Sequence, residues 1–137
     1  MARWTTETEE ETRALGETLA AELAPDGVLL LSGDLGTGKT VLAQGIARGL
    51  GIDPAEVQSP TFTLIREHRA GGGRLVHVDL YRLDPEDVPA LGLEEMLAGP
   101  GIKIVEWAER LPFGVPGSRW LRLRRLEAGG REIIEET

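Results

Sequence analysis

The sequence predicts a three-layer α/β fold whose central sheet is mostly parallel and whose edge strands are antiparallel, and three observations lead there. Short apolar runs bounded by turn residues, Val28 to Leu31 above all, have the composition of strands buried on both faces of a parallel sheet. Segments with apolar residues at helical spacing alternate with those runs, as in strand, crossover helix, strand. A glycine-rich segment, Gly33 to Gly38, joins the first such strand directly to a helix.

The elements follow in order. Thr6 to Leu23 reads as a first helix, with Leu15, Leu19 and Leu23 four residues apart and two overlapping start signals, Thr6-x-x-Glu9 and Thr8-x-x-Glu11. Pro25-Asp26-Gly27 ends it, and Val28 to Leu31 forms the first strand. From Thr40 to Leu50 the residues Val41, Leu42, Ile46 and Leu50 recur at helical spacing, with Gly49 or Gly51 as the stop. Thr61 to Arg66 and Leu75 to Tyr81 read as strands joined across Gly71-Gly72-Gly73. Asp84-Pro85-Glu86 opens a helical patch through Leu91, and Leu93 to Leu97 forms a short helix that Gly99-Pro100-Gly101 breaks. Ile102 to Trp107 is a further strand, and Trp120 to Leu126 with Arg131 to Ile134 reads as a hairpin with arginines on its exposed sides.

Composition narrows the functions open to such a fold. A chain of 137 residues with 41% hydrophobic content has room for one ordinary core, so a single domain spanning 1–137 is expected. No stretch reaches the roughly 18 to 20 apolar residues of a membrane span, and the acidic opening Glu7, Glu9, Glu10, Glu11 is the reverse of a secretory leader, which points to a cytoplasmic protein. Cysteine is absent, which leaves carboxylates, hydroxyls, lysine and backbone amides to carry any chemistry. The formal charge of −8 opposes tight unaided binding of RNA or DNA.

The pattern Gly33-Asp34-Leu35-Gly36-Thr37-Gly38-Lys39-Thr40 is a P-loop, and each residue type has a reason to be there. Glycines let the backbone fold into a nest of N–H groups aimed at phosphate oxygens, and the helix that follows, with Val41 in its first turn, adds its positive end. Lys39 is expected to reach the β and γ phosphates of a nucleoside triphosphate, and the Thr40 hydroxyl to bind the magnesium ion bridging them. Such a loop also requires a carboxylate at the tip of a neighbouring buried strand, and two stand at strand ends: Asp79 after Leu75-Val76-His77-Val78, and Glu106 after Ile102-Lys103-Ile104-Val105. Asp79 is expected to take the magnesium role, with Glu106 orienting the attacking water or sharing the metal. His77 reads as a strand residue with a satisfied hydrogen bond, since no second histidine lies at metal-binding spacing.

Four blocks in order, Ser32 to Thr40, Ser59-Pro60-Thr61-Phe62-Thr63-Leu64, His77-Val78-Asp79-Leu80-Tyr81-Arg82-Leu83 and Val105-Glu106-Trp107-Ala108-Glu109, resemble the TsaE (YjeE) family of bacterial ATPases. The resemblance covers nearly the whole chain and departs most freely from Phe113 onward. It implies a P-loop NTPase fold, a weak ATPase with ATP and Mg2+ as ligands, and a role in adding threonylcarbamoyl to the adenosine beside the anticodon of certain tRNAs. It implies TsaD and TsaB as partners, with tRNA met only through the complex. By the same resemblance Lys39 and Thr40 are phosphate and magnesium residues, Asp79 and Glu106 the site acids, Trp107 an aromatic near the nucleotide, and Thr61 part of a mobile segment sensing the γ phosphate.

Thr8 and Thr12 are positioned either to touch the adenine or to cap the first helix. Trp107 is open to a packing role as well as a nucleotide contact. The Arg119, Arg122, Arg124, Arg125 cluster reads as a solvated hairpin face, with contact to an acidic partner, or to RNA held by one, as the alternative. Two other classes share the loop. A small-molecule kinase needs a lid and acceptor pocket for which the chain has little room, and a guanine-specific switch needs an asparagine that the sequence lacks.

Overall fold

The computed structural model of the chain describes residues 2–58, 65–71 and 73–136. In chain order these form β1 (Arg3–Thr6), α1 (Glu9–Leu23), β2 (Val28–Ser32), α2 (Lys39–Gly49), β3 (Ile65–Ala70), β4 (Gly73–Asp79), α3 (Leu93–Leu97), β5 (Ile102–Glu106), β6 (Arg119–Arg125) and β7 (Arg131–Glu136). Short 3-10 helices occupy Pro54–Glu56, Pro85–Leu91 and Ala108–Arg110.

The described strands make one sheet in the order β1-β7-β6-β2-β5-β4-β3. Its middle is parallel, with β2 between β6 and β5 and β4 beyond β5, while β3, β7 and β1 add antiparallel edges. All five residues of β2 and all five of β5 are buried, as helix-covered strands require. Successive side chains leave on opposite faces. Leu29, Leu31, Ile102, Ile104 and Leu75 pack beneath Leu19, Leu23, Leu42 and Ile46 of α1 and α2. Leu30, Val105, Val76 and Val78 pack on the other face against Val88, Leu93 and Leu97. This is the expected three-layer α/β arrangement.

Several boundaries differ from the sequence reading. Thr6 belongs to β1, a strand the sequence did not reveal, and α1 starts after Thr8, whose hydroxyl accepts from the Glu11 N–H at 3.1 Å. The Glu11 carboxylate in turn accepts from the Glu7 N–H at 2.7 Å, so the second of the two overlapping start signals prevails. β4 stops at Asp79 because that carboxylate accepts the Tyr81 N–H at 2.9 Å and turns the chain. β5 stops at Glu106, and Trp107 follows in the left-handed region with φ 60°. β3 runs Ile65–Ala70, and the earlier part of the expected strand, 61–64, lies outside the described residues.

α1 lies backbone to backbone on α2. A Cβ added at Gly45 would sit 2.1 Å from the Arg13 carbonyl oxygen, and one at Gly16 would sit 2.6 Å from that of Leu42. The close approach is reinforced by Arg48, which pairs with Glu10 at 2.6 Å and also with Glu17. Gly45→Ala must therefore push two helices apart, and it is expected to lower unfolding stability in urea by about 1–3 kcal/mol or more, as overpacking does. A stabilised Gly45→Ala protein would contradict this packing, since alanine is the better helix former.

Candidate functional site

β2 delivers the chain to the carboxyl edge of the sheet, and the glycine loop turns it into α2. Gly33 adopts φ +142°, and a Cβ there would meet the Leu123 carbonyl oxygen at 2.4 Å, so no other residue fits. Gly38 stands at the N-cap with φ 100° and no side chain caps the helix, which leaves the first-turn N–H groups of α2 pointing at the space in front of the loop. The Thr37 hydroxyl donates to the Asp34 carbonyl at 2.8 Å and braces the turn.

Lys39 is 5% exposed, and its ammonium donates to the Asp34 carbonyl at 3.0 Å and to that of Gly33. It lies 4.1 Å from the centre of the Trp107 ring, a cation–π contact, and has no ion-pair partner among the described residues. Burial pushes this ammonium below the usual lysine range, against the opposing pull of Glu106, Glu109, Asp79 and Asp34. A buried cation held only by carbonyl oxygens is suited to pairing with an incoming anion.

The Thr40 hydroxyl donates to Glu106, with both carboxylate oxygens at 3.1 Å. Glu106 is 2% exposed and also contacts Nε2 of His77 at 2.5 Å. Asp79 is its neighbour in register on β4 and is likewise buried, yet Glu106 reaches the cavity wall and Asp79 does not. Trp107 leans on Tyr81 with ring centres 4.8 Å apart, so the aromatic both packs and faces the cavity.

That cavity has a volume of about 590 Å³, within the range of small-molecule sites. Leu35 through Val41 line its floor, and Glu106 with Trp107 close one side. Gly33 and Asp34, expected at the phosphates, do not line the cavity. Opposite stand Glu7, Thr8, Glu9 and Thr12 from the start of α1. Of the two roles left open by the sequence, capping falls to Thr8; Thr12 bonds the Thr6 hydroxyl at 2.7 Å, and both residues line the cavity. Thr61 lies outside the described residues.

Sequence reasoning missed Arg131 and placed Arg125 on a solvated face. Both line the cavity and stand directly opposite each other on β6 and β7. Arg119, Arg122 and Arg124 of the same hairpin are each paired with a carboxylate, whereas Arg125 and Arg131 have no acidic partner among the described residues. The sequence signal was that both flank the turn at Ala128-Gly129-Gly130.

The donors fit a magnesium nucleotide. No three acidic or imidazole side chains among the described residues converge to hold a metal alone. Magnesium characteristically takes one or two protein oxygens and completes its shell with phosphate and water, and Thr40 offers such an oxygen beside the loop, with the buried acids Glu106 and Asp79 at the ends of β5 and β4. No helix among the described residues is long and apolar enough to cross a membrane.

A strand, glycine loop and helix at the carboxyl edge of a parallel sheet, with a buried acid one strand away, define a P-loop NTPase fold. Comparison with known proteins narrows the class. The model of the family "Threonylcarbamoyl adenosine biosynthesis protein TsaE" matches residues 6–133, and the chain belongs to that family. It is 44% identical over 132 residues to the tRNA threonylcarbamoyladenosine biosynthesis protein TsaE of Bacillus subtilis, covering 96% of this chain and 82% of the relative. It is 49% identical over 108 residues to the protein of the same name from Nostoc sp., covering 76% of this chain and 66% of the relative. The crystal structure of Bacillus subtilis YdiB superimposes with a TM-score of 0.76 at 38% identity, covering 96% of this chain and 82% of that one.

The cationic side of the cavity is open to a direct check with inorganic tripolyphosphate. Replacing Arg125 and Arg131 together by alanine is expected to weaken its binding about tenfold at low ionic strength, roughly 1.4 kcal/mol. The difference should shrink in ~1 M salt, where the screening length is only ~3 Å. Titration calorimetry giving equal affinities at low salt would contradict the role.

Proposed function

We propose that this chain is the ATP-binding and hydrolysing component of the bacterial machinery that adds threonylcarbamoyl to the adenosine beside the anticodon in tRNA, acting in the cytoplasm with TsaD and TsaB. The observation that carries the reading is the meeting, in one cavity, of an uncapped helix N-terminus, the unpaired buried Lys39 and the Thr40–Glu106 contact. Family membership supplies the pathway.

In this reading the amides of the loop and Lys39 bind the phosphates and stabilise the charge that gathers on them as the terminal bond breaks. Magnesium, when bound, would supply Lewis-acid charge neutralisation at the phosphates. Thr40 would hold it through its hydroxyl oxygen, and Asp79, beside Glu106 in register, would support its water shell. Glu106, no longer held by Thr40, would orient a water on the γ side. Positioning supplies most of the effect, because the protein makes no covalent bond to phosphorus.

Weak turnover by the chain alone follows from the same contacts. Glu106 is occupied by Thr40 and His77, so it is not free to act on water until something draws Thr40 away. The two large hydrophobic side chains most exposed among the described residues, Leu35 at 63% and Tyr81 at 41%, belong to the glycine loop and to the turn packed on Trp107. A partner protein covering them would close the cavity against water and stimulate hydrolysis. With a net charge of −8, the chain meets tRNA through that partner and not by itself.

The test is reconstitution with TsaD, TsaB, the carbamoylated threonine donor and tRNA. Multiple turnovers of tRNA modification should require the chain, and Lys39→Ala or Glu106→Gln should reduce ATP hydrolysis at least a hundredfold while leaving the thermal midpoint near that of the unsubstituted protein. Modification that proceeds equally without the chain would refute the reading. Phosphate appearing on a small acceptor in place of free phosphate would show a kinase instead.

A further inference from the structure

We propose that His77 is a positioning residue: its Nε2–H holds the Glu106 carboxylate in place when Thr40 releases it. The inference rests on the proposed function, which gives Glu106 its work and requires Thr40 to turn toward a metal.

His77 lies on the α2 face of β4, two residues before Asp79, and is wholly buried. Its Nε2 stands 2.5 Å from Glu106 Oε2, and its Nδ1 is buried without a hydrogen-bond partner among the described residues. A carboxylate can only accept, so the ring must carry a proton on Nε2. Nδ1 is then left unsatisfied among the described residues, a cost that a leucine or valine at this inward position of β4 would not bear. A purely packing role does not explain an imidazole here, whereas a donor directed at Glu106 does.

Among the described residues Glu106 receives two side-chain donors, Thr40 Oγ1 and His77 Nε2. Thr40 sits on α2 and is the one whose hydroxyl the metal would claim. His77 sits on the sheet, where β4 and β5 are locked by the register His77↔Ile104 and Asp79↔Glu106. Of the two donors it is therefore the one that does not move with the loop. With Thr40 turned away, a carboxylate lacking His77 would rotate freely about its side-chain bonds, and the water it orients would lose its direction.

The two amide analogues of histidine separate this role from packing. In His77→Gln the amide nitrogen falls near the position of Nε2 and keeps the donor to Glu106; in His77→Asn it falls near Nδ1 and does not. His77→Leu fills the space with no donor. With TsaD and TsaB present, kcat for ATP hydrolysis is expected to drop at least tenfold in His77→Asn and His77→Leu, with KM changed less than threefold. His77→Gln should stay within threefold of the unsubstituted chain. Thermal midpoints of all four proteins establish that each is folded, and His77→Gln against His77→Asn still decides if His77→Leu is not. In the ligand-free protein, nitrogen NMR should find His77 as the Nε2–H tautomer, with that resonance displaced by Glu106→Gln.

Equal kcat in the glutamine and asparagine variants, unchanged kcat in the leucine variant, or an Nδ1–H tautomer would overturn the role of His77 while leaving the ATPase reading intact. An unsubstituted chain with no turnover at all would sink the ATPase reading, and this inference with it.

Discussion

The parallel pairing of β2 with β5 and of β5 with β4 is the constraint from which the site follows. Because β2 and β5 are buried on both faces, each must find hydrogen-bonding neighbours along its whole length, and the register Leu31↔Glu106 and Asp79↔Glu106 results. That register sets the mouth of the glycine loop level with two carboxylates. A slip of one residue in β5 would turn Glu106 to the opposite face of the sheet, away from α2 and Thr40. The chemistry of the cavity is thus fixed by backbone pairing before any side chain of the loop is considered.

Electrostatics complete what the backbone arranges. The chain carries a formal charge of −8, yet its principal cavity gathers Lys39, Arg125 and Arg131, none with a carboxylate partner among the described residues. Most other arginines described on this protein's surface are tied to acids, as Arg48 is to Glu10 and Arg119 to Glu135, where the Arg119 guanidinium holds the Glu135 carboxyl below its usual range. Concentrating the unpaired cations in one concave place favours a small polyanion over an extended one. The acids on the other side, Glu106 and Asp79, are buried and need an oxygen-seeking cation or a hydrogen-bond donor beside them. The magnesium nucleotide of the proposed function would carry both signs of charge into the cavity.

Much of this was legible in the sequence because it is local. The P-loop spacing, the apolar run before it and the helical spacing after it all lie within about twenty residues, and each maps onto β2, the loop and α2. The strand-end acids Asp79 and Glu106 were equally visible, since an apolar run ending in a carboxylate is a short-range pattern. What escaped depends on pairings between distant segments. β1 has only four residues and exists because β7 offers it an edge. β6, read as half of a terminal hairpin, lies inside the sheet beside β2, which is how Arg125 reaches the cavity. The Thr40 to Glu106 contact joins residues 66 apart in sequence, and no spacing rule encodes it. His77 was expected to have a satisfied hydrogen bond; its partner is the site acid, and only one of its two nitrogens has one.

In the proposed function the loop from Gly33 to Thr40 clasps the phosphates of a nucleotide through its own amides and Lys39. A crystal structure of the chain grown with Mg·ADP tests this. The β phosphate is expected within hydrogen-bond distance of the amides of residues 36–40 and of Lys39 Nζ, with Thr40 turned from Glu106 toward the metal. A nucleotide bound elsewhere, or a loop that keeps Lys39 on the carbonyls of Gly33 and Asp34 with saturating Mg·ADP present, would contradict it.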